Sequence, residues 1–83
     1  MTPIKQAVAN AMEFADGVLG AGRTLDLRLE EIESSEIDGA PIWLITLSFQ
    51  RTSYARDYKT FSIRKDTGEV LAMKIRELAG NNA

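Results

Sequence analysis

The chain has 83 residues, a formal charge of −2, 45% hydrophobic and 27% charged side chains, and neither cysteine nor histidine. This composition suits one folded domain rather than a disordered or multidomain chain. It excludes a disulfide framework, thiol or imidazole chemistry, and metal sites built on nitrogen or sulfur, so no cofactor is expected.

Residues 3–19 read as an amphipathic helix. Thr2 suits the cap and Pro3 the first helical position. Ile4, Val8, Ala11, Met12, Ala15, Val18 and Leu19 recur at steps of three and four and trace one apolar stripe. Gly20 and Gly22 then act as stops. A first strand over 24–32 alternates Leu25, Leu27 and Leu29 against Asp26, Arg28 and Glu30, with a break of phase at Glu30-Glu31. Residues 34–39 read as a polar connection. The second strand, 41–51, turns Trp43, Ile45, Leu47 and Phe49 one way and Leu44, Thr46, Ser48 and Gln50 the other. Residues 51–57, RTSYARD, read as a loop longer than a hairpin needs. The third strand, 58–65, sends Phe61 and Ile63 inward. After an Asp66-Thr67-Gly68 turn, the fourth strand, 69–77, sends Leu71, Met73 and Ile75 inward. The expected fold is a single two-layer α+β domain, with one N-terminal helix packed on a four-stranded antiparallel meander in the order 1-2-3-4.

Catalytic groups are sparse. The serines have no evident activating base, and the pair Ser62 and Lys74 stands on an open sheet face where nothing buries the lysine. No enzyme activity is expected. The acidic run Glu30, Glu31, Glu33, Glu36, Asp38 lacks the spacing of a calcium loop. Gly17, Gly20 and Gly22 follow a helix and precede a strand, the reverse of a phosphate-binding loop.

Surfaces carry the functional reading instead. The helix covers one sheet face, leaving Leu44, Thr46, Ser48, Thr60, Ser62 and Ala72, with Val70, as an uncharged centre inside a charged rim. That is the expected interface for a protein partner or a second copy, giving a dimer or larger homo-oligomer. Arg51, Tyr54, Arg56 and Tyr58 form an accessory binding loop. The same residues give the alternative reading, a nucleic-acid-binding accessory protein, although the pI of about 5.0 opposes it. Charge is also divided along the chain. Residues 1–50 hold three basic and eight acidic side chains, net −5; residues 51–83 hold seven and four, net +3. Such polarity can dock two copies head to tail.

The N-terminus has no cationic start or unbroken apolar run of a signal peptide, and no stretch reaches the ~18 apolar residues of a membrane span. A cytoplasmic protein without membrane contact is expected.

The order WLITLSF … YKTFSIRKDTGEVLAMKI, over residues 42–75, resembles PepSY-type domains through Tyr58, Phe61, Ile63, Asp66, Thr67, Gly68, Glu69 and Val70. The helix-then-meander order is similar to small bacterial proteins with a cystatin-like layout. PepSY-type domains are commonly extracytoplasmic, and some are regarded as inhibitors of accompanying proteases. The resemblance implies a non-enzymatic binding or regulatory module.

Overall fold

The computed structural model describes residues 2–20 and 25–75. One helix, α1 (Ile4–Leu19), precedes four strands, β1 (Leu25–Ile37), β2 (Ala40–Thr52), β3 (Ala55–Arg64) and β4 (Val70–Ile75). The strands form one antiparallel meander ordered β1-β2-β3-β4, with α1 on one face, so the α+β expectation holds. Gly22, the start of the first strand at residue 24, and its fourth-strand counterpart at residues 76 and 77 lie outside the described residues.

Burial along α1 centres on Ala7, Ala11 and Ala15, each fully buried. Methyl side chains at every fourth position let the helix backbone come close to the sheet, so bulky residues are pushed to its flanks. Phe14 stands edge-on to Phe61 at 6.2 Å on one flank, and Val8 and Met12 are half-buried. Ile4 and Val18, expected in the buried stripe, are 43% and 55% exposed. Pro3 rather than Thr2 is the N-cap, and no side chain among the described residues caps the helix. The Thr2 main chain is used elsewhere: its N–H donates to the Lys65 carbonyl at 2.5 Å, and its carbonyl accepts from Trp43 Nε1 at 3.4 Å. At the other end, the Gly20 N–H closes on the Asp16 carbonyl at 2.9 Å with φ of 91°, the glycine stop expected.

Two connections are tighter than the sequence reading. Residues 34–37 belong to β1, and only Asp38 (φ 49°) and Gly39 (φ 82°) turn the chain into β2. Both central residues are left-handed, the turn whose twist matches that of paired strands, and Asp-Gly is a favoured pair for it. The stretch 51–57 is likewise not a long loop. Thr52 pairs with Ala55, leaving Ser53 and Tyr54 as the turn, and a register shift between Gln50 and Thr52 absorbs Arg51. The third connection keeps its expected place, with Gly68 at φ 80° donating to the Arg64 carbonyl at 2.9 Å.

Bulges re-aim the edge strands. In β1 the register slips between Leu25 and Arg28, where Asp26 takes φ of 52°, and again between Leu29 and Glu31. In β4, Ile63 faces Val70 and Ser62 faces Ala72, so Leu71 is the extra residue. Strict alternation therefore fails at the start of β4: Val70 packs on the core while Leu71 is 43% exposed. Met73 and Ile75 keep the expected helix side, where Ile75 is 72% exposed. Ile45, Leu47, Phe61 and Ile63 complete the core beneath the alanine ridge.

Candidate functional site

On the helix-free face, the ladder brings the six expected interface residues together. Leu44 pairs with Ser62, Thr46 with Thr60, Ser48 with Tyr58, and Ser62 with Ala72. Val70, expected with them, is on the other side. The Thr46 and Thr60 hydroxyls are 3.0 Å apart across the strands. Leu44, Thr60 and Ala72 are half-buried, whereas Thr46, Ser48 and Ser62 are only 3%, 0% and 7% exposed. This centre is covered by its own neighbours and offers a partner little apolar area.

A polar network lies over Ser48. Its hydroxyl donates to Glu30 Oε2 at 2.5 Å and accepts from Arg56 Nε at 3.1 Å. Arg56 continues to Asp26, reaching the carboxylate from Nη1 at 2.8 Å and the carbonyl from Nη2 at 2.6 Å. Arg28 meets the same carboxylate at 2.8 Å. The β1 bulge, with Asp26 in the left-handed region that Asp tolerates better than most residues, turns both acceptors of Asp26 toward Arg56. Hydrogen bonds from Arg28 and then Arg56 hold the Asp26 carboxyl below its ordinary range. At the far end of the sheet, Arg64 grips Asp66 through two bonds of 2.9 and 2.6 Å, which pulls the Asp66 pKa to about 2 and raises that of Arg64.

The accessory residues are not one surface. Arg51 Nε binds Asp57 Oδ1 at 2.9 Å, and Asp57 sits opposite Phe49, toward the helix side. Tyr54 is 98% exposed at the hairpin tip, while Arg56 and Tyr58 lie on the helix-free side. Lys65 lies 4.0 Å over the Trp43 ring and donates to Ser34 Oγ. Arg51, Arg56 and Arg64 are thus already committed to carboxylates. That removes much of the contiguous positive field a phosphate backbone needs.

The surface that periodicity did not reveal is on the helix side. A groove of about 340 Å³ runs between α1 and β1, lined by Ile4, Val8 and Met12 on the helix and Leu29 and Ile32 on the strand. Its origin is dimensional. A helix with its side chains is about 10–12 Å across, whereas four strands at about 4.8 Å spacing span about 14 Å between the outer strand axes alone. Here α1 sits over β2, β3 and β4, leaving the apolar side of β1 at the margin. The same residues look like ordinary core by periodicity. Only the width comparison marks them as surplus.

Among the described residues, no three acidic side chains converge as metal ligands, and no helix is long and apolar enough to cross a membrane. Ser62 and Lys74 are diagonal neighbours on the helix-free face, with Lys74 exposed. Compared with known families, curated proteins and solved structures, the chain has no match in any of the three.

Proposed function

We propose that the chain is a non-catalytic protein-interaction module that receives a protein partner, a second copy included, along the α1–β1 side. The observation that carries this reading is the offset of the helix, which leaves Leu29 43% exposed opposite Ile4, also 43% exposed, in an apolar groove. Exposed apolar surface of this kind, bordered by charge, is what partner proteins bury. The helix-free face around Leu44, Thr46 and Thr60 is the weaker candidate, because its centre is already covered and its hydroxyls are satisfied. A cytoplasmic setting and the PepSY-like order of β2 to β4 belong to the same reading, that of a small binding or regulatory domain.

The test is a photo-crosslinking residue placed at position 29 or at position 44 in living cells, followed by nuclease treatment and mass spectrometry of adducts. Protein adducts at 29 and none at 44 are expected. Adducts confined to 44 move the interface to the helix-free face. Adducts that vanish with nuclease replace the reading with nucleic-acid binding.

A further inference from the structure

Among the described residues both edges of the sheet are open, and their charges are opposite. There β1 pairs only with β2, and β4 only with β3. From residue 31 to residue 37, β1 keeps an unbroken register, so its outer edge presents a regular ladder of main-chain donors and acceptors. Glu33 lies opposite Leu44, on the helix-free side of that edge, and makes no ion pair among the described residues. On the other edge Lys74 lies opposite Thr60, on the same helix-free side, exposed and also without an ion pair among the described residues. Five of the exposed large hydrophobic residues, Leu25, Leu29, Ile37, Leu71 and Ile75, belong to these two edge strands.

These charges discriminate between ways of pairing. A β1 edge against another β1 edge brings the acidic run together, and β4 against β4 brings lysines together. Both are disfavoured when like charges stand across adjacent strands. Pairing of β1 with β4 is the combination in which the signs are complementary.

We infer that the β1 edge of one copy receives the β4 edge of a second copy, antiparallel, so that chains add head to tail in a continuing sheet. The strand directions permit this. Successive strands alternate, so an antiparallel β4 beside β1 repeats the order of the meander and keeps every helix on the same side. Ile75, on the helix side of the incoming β4, then stands beside Ile32 at the open groove, with Met73 beside Ser34. Lys74 stands beside Glu33 on the opposite face. Such a contact is heterologous, and it grows into open assemblies rather than closing as a two-fold dimer. The inference rests on the α1–β1 side being the docking surface and adds the identity of the occupant.

The test uses the purified full chain in sedimentation velocity from about 10 μM to about 1 mM, the range in which weak edge contacts are populated. Wild type is expected to shift to larger species with concentration, and less so at high salt. Glu33→Lys and Lys74→Glu are each expected to weaken association about tenfold, and Glu33→Lys/Lys74→Glu in one chain to restore it. Each site is exposed, so the variants are expected to keep the monomer fold, and thermal melts check this. A wild type that stays monomeric throughout overturns the inference. So does association untouched by Lys74→Glu, the result for β1 meeting β1, and so does a double variant that fails to recover. Crosslinks at position 29 to a different protein, together with a monomeric purified chain, leave the docking surface standing and reject only the second copy as its occupant.

Discussion

Arg56 on β3 reaches across β2 to Asp26 on β1, with 2.8 Å from Nη1 to the carboxylate and 2.6 Å from Nη2 to the carbonyl, and Ser48 lies fully buried under the crossing. Three strands are tied through one guanidinium. The planar fork of Arg fills this role in a way a lysine ammonium does not.

The network predicts an order of sensitivities. Ser48→Ala removes the hydroxyl that links Glu30 to Arg56 and is expected to cost about 1–2 kcal/mol in urea unfolding. Arg56→Met is expected to cost more, because it removes the donor shared by Ser48 and both acceptors of Asp26, and Arg56→Lys to recover only part of the loss. Equal stability for all three variants would show that the crossing is ornamental.

Acid should weaken the fold over a defined window. The Asp66 pKa is held at about 2 by the Arg64 hydrogen bonds, and that of Asp26 is lowered by Arg28 and Arg56. A carboxyl whose pKa is depressed in the folded state adds stability above its unfolded value, near 4, and loses it as pH falls through the folded value. Stability should therefore decline from about pH 4 toward pH 2. The loss should be modest, because Asp66 is solvent-exposed and salt screens the pair. Asp66→Asn should lower stability modestly near neutrality and converge with wild type toward pH 2, flattening part of that decline, as read from urea midpoints across pH. An unchanged acid limb in the variant would remove Arg64–Asp66 from the account.

Two glycines should respond in opposite directions. Gly68 has φ of 80°, and a Cβ there would stand 2.9 Å from Asn10 Nδ2 and 3.1 Å from Thr2 Oγ1. Asn10 Nδ2 also donates to the Gly68 carbonyl at 3.0 Å, so the helix is latched to this turn. Gly68→Ala is expected to cost about 1–2 kcal/mol, from the left-handed backbone and the crowded latch. Gly17 lies inside α1 with nothing within 4 Å of an added Cβ. Gly17→Ala should stabilise by about 0.5–1 kcal/mol. Thermal melts of the two variants decide both.

The bulge in β4 makes adjacent residues unequal. Val70 packs on the core opposite Ile63, whereas Leu71 is 43% exposed. Val70→Ala should cost about 1–2 kcal/mol and Leu71→Ala little, although leucine is the larger side chain. The reverse ranking would mean that β4 alternates without a bulge.

The sequence by itself determined the helix, the number and order of the strands, the inward set Ile45, Leu47, Phe61 and Ile63, and the helix-free set from Leu44 to Ala72. These follow from local periodicity, which depends only on the geometry of each element. It also carried the Asp38-Gly39 turn, whose Asp-Gly signal is local, although a run of polar residues before it masked the end of β1. Only the tertiary structure decided which apolar residues are covered. Bulges at Asp26, Arg51 and Leu71 shift side chains between faces, and a bulge is set by what the neighbouring strand offers rather than by its own residues. The alanine ridge rolled α1 onto its smallest side chains and over three strands, leaving Leu29 and Ile4 at the margin. Periodicity reports which side of an element is apolar. Whether that side is buried depends on how wide a sheet one helix can cover.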